Sequence, residues 1–378
     1  MDFQTSVEHD DLRAAVAAIA AKFGSSYYTG KAEAREFTGE LWAELGHHGF
    51  IGVNLPEEYG GGGAGLSELA VVTEEVAAQG CPLLLLLVSS AISGEVIARY
   101  GSAEQAARWL PGLASGEERI VFAITEPEAG TNTHRLATTA TRDGSDYVLR
   151  GQKHYISGVD VAGAVLVVAR TSDTGLSLFV VDTDTPGLEI HPLPVSVALP
   201  ERQFTLFFDD VRVPADRLVG AEGDGFQQVF HGLNPERVTG AALCLGVARC
   251  ALTKAADYAR TRTVWDQPIG AHQGVAHALA KARIEVDLAA LMTARAAWQH
   301  DHGVPAGEAS NMAKYAAAEA ALAAVDAAIQ THGGHGVSRD IGLIPLWGLA
   351  RLLRIAPVNR EMVLNYVAQH SLGLPRSY

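Results

Sequence analysis

The chain has 378 residues, which is too long for one ordinary compact core, and its 48% hydrophobic and 19% charged residues are typical of globular proteins. A net charge of −14 disfavours nucleic acid as a partner, because an acidic surface repels a phosphate backbone. The three scattered cysteines include no CxxC pair, which favours a reducing, cytoplasmic location. The N-terminus lacks the basic region of a signal peptide, and no purely apolar run approaches the roughly 20 residues of a bilayer span, so we expect no membrane insertion.

Residues 1–118 are predicted to form an N-terminal helical domain. Apolar side chains recur at the 3.6-residue spacing of a helix, and glycine or proline separates the helical segments. The last of these segments is predicted to end at Pro111-Gly112, because proline interrupts helical hydrogen bonding. The predicted helices cover Asp10–Phe23, Thr38–Leu45, Ser67–Ala78 and Ala103–Leu110.

Residues 119–225 are predicted to form a middle β-domain, which is either a small barrel or a sandwich. The pair Asp143-Gly144 separates two short β-rich runs and is a good hairpin signal. The predicted strands cover Ala137–Arg142, Tyr147–Gly151, Val165–Ala169, Leu176–Val181, Thr205–Phe208 and Val211–Pro214.

Residues 226–378 return to helical periodicity. The predicted helices cover Phe226–Arg260, Gln273–His300 and Asn311–His332. The last of them is nearly half alanine, which indicates close helix–helix packing and a subunit interface. Because neither linker is long, the three parts are expected to pack as one body.

The first candidate ligand-binding segment lies where helix gives way to strand, at residues 122–131. Thr125 and Thr131 offer hydroxyl groups, and Gly130 lets a ligand approach the backbone closely. An ordinary loop punctuated by proline and glycine explains the same residues. The segment therefore indicates a site only in combination with others.

The second segment covers residues 151–158. Tyr155 and Ser157 are two residues apart on a predicted strand, which puts both on one face. They are suited to covering a flat ring and hydrogen-bonding its edge. The alternative is a strand end with a packed tyrosine.

The third segment covers residues 258–273. Arg262 follows a predicted helix, and its guanidinium is suited to a pyrophosphate. Trp265 adds an aromatic side chain shortly after it. The alternative is a basic helix end that only complements the helix dipole.

The fourth segment covers residues 330–336. The pair Gly333-Gly334 permits close approach to a cofactor, but it also fits a simple helix C-cap. His332 and His335 suggest a metal ligand pair, yet no ordered acidic or cysteine ligands accompany them. We therefore predict no metal site.

Together and in this order, the four segments resemble the acyl-CoA dehydrogenase family over nearly the whole chain. Residues 49–61 are similar to the family's N-terminal segment, and residues 208–214 and 218–225 to its exit from the β-domain. The resemblance implies an α+β fold with an N-terminal helical domain, a middle β-barrel or sandwich, and a C-terminal four-helix bundle.

The resemblance also implies bound FAD between the β-domain and the C-terminal helices. Tyr155 stands where a tryptophan often flanks the flavin, and Asn359 where a threonine touches it. The segments around Arg262 and Gly333 are expected to reach the FAD of a neighbouring subunit, which implies a homodimer or homotetramer. The implied FAD-binding residues are Phe122, Ile124, Thr125, Gly130, Thr131, Tyr155, Ser157, Arg262, Trp265, Gln273, Gln330, Gly333, Gly334 and Asn359.

The family's catalytic base is missing from its most frequent position. There a carboxylate takes the α-proton of an acyl thioester while flavin accepts hydride. That position is Pro357, which takes no proton and offers no N–H to the thioester oxygen. Members similar to isovaleryl-CoA dehydrogenase place the base on an earlier helix before an arginine, and this pair is Glu236-Arg237 here. We therefore expect Glu236 to be the base, and Arg237 and Pro357 to line the substrate cleft.

Two alternatives apply to the base. Glu236 also reads as a first-turn glutamate after Pro235 that only favours the helix dipole. Glu361 is a weaker candidate, about one helical turn beyond the usual position.

The expected function is FAD-dependent dehydrogenation of an acyl-CoA or acyl-carrier-protein thioester to its α,β-unsaturated product. The resemblance implies an electron-transfer flavoprotein or a similar acceptor as partner. The alternatives are a flavin monooxygenase on the same fold, which needs no carboxylate base, and a non-catalytic subunit of a mixed oligomer.

Overall fold

The computed structural model describes residues 6–376, and its N-terminal part is helical as predicted. All four predicted helices are present. A π-helix over Leu86–Gly94, which the sequence did not indicate, leads into α5. The α-helices of this part are α1 (Val7–Ala20), α2 (Gly24–Ala34), α3 (Gly39–His47), α4 (Leu66–Ala78), α5 (Glu95–Tyr100) and α6 (Ala103–Ser115).

Pro111 does not end α6, contrary to the prediction. The helix continues through it and stops at Gly116, whose φ of 76° is a left-handed conformation that glycine adopts readily. Trp109 and Leu110 before the proline and Leu113 after it are all buried. Burying these side chains outweighs the single backbone hydrogen bond that proline removes.

The middle part is a mixed β-sheet with the strand order β6-β7-β3-β2-β4-β5-β8, and β1 pairs in parallel with β4. The predicted hairpin at Asp143-Gly144 is confirmed as the antiparallel pair β2–β3. The last two predicted strands form one continuous strand, β7. The strands are β1 (Ile120–Ala123), β2 (Thr139–Asp143), β3 (Asp146–Ser157), β4 (Ala164–Arg170), β5 (Leu176–Asp182), β6 (Leu188–Leu193), β7 (Gln203–Pro214) and β8 (Leu218–Val219).

Strand β4 is covered on both faces, which explains its unbroken apolar sequence. Val165 and Val167 point into a core shared with the N-terminal and C-terminal helices. Leu166 and Val168 point into a second core, which contains Ile92 from the π-helix. The β-domain is therefore held between helices, as the predicted single body requires.

The C-terminal part begins with one long helix and a small hairpin. The elements are α7 (Gly225–Thr261), β9 (Thr263–Val264), β10 (Gln267–Pro268), α8 (Gln273–Asp301), α9 (Gly307–His332), α10 (Leu343–Leu353) and α11 (Arg360–His370). Helices α7, α8, α9 and α10 pack together, with α4 of the N-terminal part against α7 and α8. Asp301 of α8 accepts hydrogen bonds from the Leu66 and Ser67 amides at the start of α4, at 2.7 and 3.0 Å.

Helix α7 is the one helix among residues 6–376 with the length and apolar composition of a membrane span. Most of its apolar stretch, 78% of the residues, is buried inside the protein. A core helix meets the same criteria, so this is weak evidence for a span.

Helix α9 owes its central position to alanine. Its small side chains form buried rows against α7 and α8, where larger residues would push the helices apart. The buried alanines of α9 are Ala309, Ala313, Ala317, Ala318, Ala320, Ala321, Ala324 and Ala328.

Candidate active site

A buried ion pair anchors the loop after β1. Lys153 of β3 is fully buried, and its Nζ lies 2.8 Å from Glu126 Oε1 and 3.0 Å from the carbonyl oxygen of Ile124. The Glu126 carboxylate also accepts the amides of Ala137 and Thr138, at 2.6 and 2.9 Å. These bonds fix the loop that carries Thr125 and Thr131.

The pKa values of this pair follow from its bonding. Burial lowers the pKa of Lys153 to about 8, although Glu126 opposes the change. Burial raises the pKa of Glu126, but Lys153 and the two amide donors bring it below the ordinary value. Sequence reasoning missed this pair. The one indication in the sequence was a lysine, Lys153, within a strand of a domain that lies between two helical parts of the chain.

The loop and the C-terminal segment meet directly. Asn359 Nδ2 donates to Thr131 Oγ1 at 2.8 Å, which joins two predicted FAD-binding residues 228 positions apart. Asn359 also caps α11, where its Oδ1 accepts the Met362 amide at 2.9 Å. Thr125 is tied to β3 by its carbonyl oxygen, which accepts the His154 amide at 2.8 Å. The structure therefore brings together the loop, β3 and the Pro357 segment.

Tyr155 lies on a bulge of β3. The pairing of β3 with β7 shifts between Lys153 and Ile156, and Tyr155 has a φ of 59°. This bulge breaks the strict alternation from which a shared face for Tyr155 and Ser157 was predicted, so that reasoning was wrong. The Tyr155 side chain is 58% exposed, whereas the Ser157 hydroxyl is hydrogen-bonded to the Gln203 amide.

A second group of predicted residues lines an open groove of about 490 Å³ at the ends of α7 and α9. Arg262 and Gln330 lie on its walls, with Gly333 and Gly334 between them. Apart from the adjoining backbone, no atom of residues 6–376 lies within 4 Å of a Cβ built on either glycine, so a ligand has access to the backbone there. His332 is buried in the same wall, where it stacks on a tyrosine.

Two other predicted FAD-binding residues, Trp265 and Gln273, lie outside the lining of this groove. Trp265 and Asp266 form the two-residue turn of the β9–β10 hairpin, with φ values of 49° and 67°. Positive φ at both positions defines a type I′ turn, which is unfavourable for a large side chain. Trp265 is 85% exposed. Gln273, also exposed, is the first residue of α8.

The proposed base lies inside a helix. Helix α7 begins at Gly225, three turns before Glu236, so the first-turn alternative was wrong. The predicted helix Phe226–Arg260 already included Pro235, and the structure confirms that the helix continues through it. Glu361 is exposed in the first turn of α11.

Glu236 lies close in α7 to a residue that approaches the Pro357 segment. Gly240 follows it by one turn on the same face of α7. A Cβ built on Gly240 is 3.8 Å from Pro357 Cδ and 3.7 Å from Leu87 Cδ2. Residue 240 of α7 therefore lies beside both the π-helix and the Pro357 segment, one turn from Glu236.

The charged residues around Glu236 form an unusual pattern. Glu236 is partly buried, and among residues 6–376 no hydrogen-bond donor reaches its carboxylate. Burial raises the pKa of Glu236 to about 7, against the opposing charges of Arg237 and Lys314. Arg237 is only 9% exposed, and it donates to Asn234 Oδ1 at 2.9 Å. Its Nε has no hydrogen-bond partner among residues 6–376. A carboxylate titrating near neutrality beside an unsatisfied donor is suited to proton transfer.

Comparison with known proteins identifies the family of the chain. Three family models match the chain: acyl-CoA dehydrogenase N-terminal domain over residues 6–117, middle domain over 121–211 and C-terminal domain over 223–372. The acyl-CoA dehydrogenase FadE12 of Mycobacterium tuberculosis (strain ATCC 25618 / H37Rv) is 57% identical, over 100% of this chain and 99% of the relative. The chain belongs to the acyl-CoA dehydrogenase family.

Solved structures support the same assignment. A glutaryl-coenzyme A dehydrogenase in complex with glutaryl-CoA has a TM-score of 0.95 and 29% identity, covering 100% of this chain and 98% of that one. The FAD complex of PigA has a TM-score of 0.94 and 25% identity, covering 99% and 100%. The protein is accordingly an FAD-dependent oxidoreductase of the acyl-CoA dehydrogenase type.

The residues present fit FAD. A Cβ on Gly130, like those on Gly333 and Gly334, meets no protein atom within 4 Å, so these backbones are open to a ligand. Exposed Tyr155 offers an aromatic surface beside the Thr125 loop, and Arg262 offers a cation for a phosphate. The predicted FAD residues fall into two sets, one around the loop after β1 and one around the groove on α9.

Proposed function

We propose that Glu236 is the catalytic base in the dehydrogenation of an acyl-CoA. The supporting observation is the partly buried carboxylate of Glu236, which has no hydrogen-bond donor among residues 6–376 and lies one turn of α7 before Gly240, the residue that approaches Pro357. Pro357 has no group that takes a proton. A pKa of about 7 keeps a substantial fraction of Glu236 ionised at neutral pH.

The chain's own groups divide the work of the reaction. Glu236 would remove the α-proton of the thioester, and FAD, when bound, would supply the hydride acceptor for the hydrogen on Cβ. The unpaired Nε of Arg237 offers a donor to the substrate from the next position of α7. Pro357 provides an apolar wall without an N–H, so stabilisation of the enolate-like charge depends on other donors.

Replacing the base tests the proposal. Glu236→Gln keeps the side-chain volume, so the variant is expected to retain FAD and to lose reduction of the flavin by acyl-CoA by about a thousandfold or more. The measurement is anaerobic stopped-flow bleaching of the flavin with a panel of acyl-CoAs. Glu361→Gln is the matched control and is expected to bleach at the wild-type rate. Wild-type bleaching by the Glu236 variant would show that the base lies elsewhere.

The same preparation separates the two alternative functions. Oxygen consumption with a hydroxylated product and no enoyl product indicates a monooxygenase. A purified single-chain preparation that desaturates acyl-CoA without another protein excludes a non-catalytic subunit. The family assignment favours the dehydrogenase over both.

We also propose that the protein is a homodimer or homotetramer whose copies share FAD sites. The groove around Arg262 and Gly333 provides cofactor-binding groups apart from the Thr125 loop. Helix α8 also presents an exposed apolar row at helical spacing, and a second copy would bury it. The row consists of Ile284, Leu288, Leu291 and Trp298, each more than half exposed.

Light scattering after size exclusion tests the assembly. A charged residue in this row, Leu288→Asp, is expected to lower the apparent mass by weakening association between copies. Arg283→Asp on the same helix is an exposed control, already paired with Asp287, and is expected to keep the wild-type mass. A wild-type protein that elutes as a monomer would contradict the proposal.

The electron acceptor is proposed to be an electron-transfer flavoprotein or a similar carrier, as family membership implies. The three cysteines are free and buried, which supports a cytoplasmic location for the protein.

A further inference from the structure

A second buried lysine lies next to the Pro357 segment. Lys314 of α9 is 2% exposed, and its Nζ donates to the carbonyl oxygen of Val358. Val358 stands between Pro357 and Asn359, so one hydrogen bond ties α9 to the segment that replaces the family's usual base position. Asn359 in turn bonds Thr131 of the cofactor loop.

Among the charged groups around Lys314, Glu236 is the carboxylate that is not already paired with another cation. Glu319 is engaged elsewhere: Arg354 Nε lies 2.6 Å and Arg360 Nε 3.5 Å from its Oε1. Arg237 is a second cation, and Cys244 is a buried thiol whose pKa is raised to about 12 by burial. Helices α7 and α9 pack together and both reach the Pro357 segment, Lys314 through Val358 and α7 through Gly240, one turn beyond Glu236. At this site the charge of Lys314 lowers the pKa of Glu236, after the larger effect of Arg237.

We propose that Lys314 is a positioning residue for the reaction, which holds the Pro357 segment in place and keeps Glu236 in the carboxylate form. The inference rests on the proposed role of Glu236 as base. A buried ammonium with a backbone carbonyl as its direct partner is costly to maintain unless it acts on a charge nearby. Lys314 takes no proton from the substrate and acts through Glu236.

The test uses variants that separate charge from hydrogen bonding. Lys314→Gln retains an N–H donor for the Val358 carbonyl but lacks the charge, and Lys314→Arg retains the charge. Removing a nearby cation raises the pKa of a carboxyl group, so the acid limb of flavin reduction is expected to move up by about one pH unit in Lys314→Gln. On that limb the rate falls by about tenfold at a given pH. Lys314→Arg is expected to keep the wild-type profile.

The matched control is another lysine that bonds a backbone carbonyl. Lys254 of α7 donates to Ile341 at 3.0 Å, and its charge has no part in the pKa of Glu236. Lys254→Gln is expected to leave the profile unmoved. Infrared difference titration of the carboxyl band, assigned by subtracting Glu236→Gln, measures the same shift without turnover.

The outcomes distinguish the two proposals. If Glu236→Gln is inactive and the acid limb of Lys314→Gln matches the wild type, the role of Lys314 is wrong and that of Glu236 stands. If Glu236→Gln reduces its flavin normally, the assignment of Glu236 as the base is wrong, whatever the Lys314 variants show. If Lys314→Gln does not fold, Lys314→Arg decides: a displaced acid limb with the charge retained contradicts the inference.

Discussion

The protein contains two buried lysine–glutamate neighbours with opposite character. Lys153 and Glu126 are in direct contact at 2.8 Å, and two amides complete the carboxylate's bonding. Lys314 instead bonds the Val358 carbonyl, and no donor reaches Glu236 among the described residues. The pKa of Glu126 is lowered and that of Glu236 is raised to about 7. Hydrogen bonding therefore accounts for the opposite pKa shifts of the two glutamates, and the proposed base is the one without a donor.

The largest expected effect is on stability. Glu126→Gln leaves the ammonium of Lys153 buried without a counter-charge, and we expect a loss of about 3–5 kcal/mol in the free energy of unfolding. Urea denaturation at matched protein and FAD concentrations measures it. Glu236→Gln is the control and is expected to be as stable as the wild type or more so, because it removes a poorly solvated charge. Equal losses in both variants would remove the distinction between the two pairs.

The second effect is on pH dependence. The base acts as carboxylate, so flavin reduction is expected to fall as the pH drops through about 7, by roughly tenfold per unit below it. Between pH 7 and pH 5 the ionised fraction falls from about one half to about one hundredth, so the rate constant is expected to decrease by about fiftyfold. Stopped-flow bleaching over this range gives the midpoint. A rate that is constant down to pH 5 would mean that Glu236 is as well solvated as an ordinary glutamate.

The smallest effect concerns the bond that joins the two regions. Asn359→Asp keeps a cap for α11 but loses the donor to Thr131, and we expect FAD to bind about fivefold more weakly, the value of one hydrogen bond of about 1 kcal/mol. Asn359→Ala loses both interactions and is expected to bind FAD more weakly still. Fluorescence titration of the apoprotein gives the affinities. Wild-type affinity in the aspartate variant would make the contact incidental.

Much of the fold followed from the sequence, because periodicity and turn residues are local signals. The helices of the N-terminal part and the hairpin at Asp143-Gly144 belong to this class. The error at Pro111 has a physical cause. Pro111 lies inside a helix whose burial compensates for a missing hydrogen bond, and burial depends on residues distant in sequence, whereas the predicted helix that contains Pro235 is confirmed.

The site was predictable as a set of segments and less so as a geometry. Family resemblance identified Thr131 and Asn359 separately, but only the folded chain shows their contact. The bulge at Tyr155 arises from pairing with β7 and has no local signature. The ion pair of Lys153 with Glu126 and the approach of Lys314 to the cleft were missed because each joins distant elements.

Helix α7 is one continuous helix that connects Glu236 with Arg262 in the α9 groove. Glu236 lies near its first third and Arg262 at its C-terminal cap. With a rise of 1.5 Å per residue, the two are about 39 Å apart along the axis. Because a helix has a fixed rise, the separation of the α9 groove from Glu236 is set by the number of residues between them.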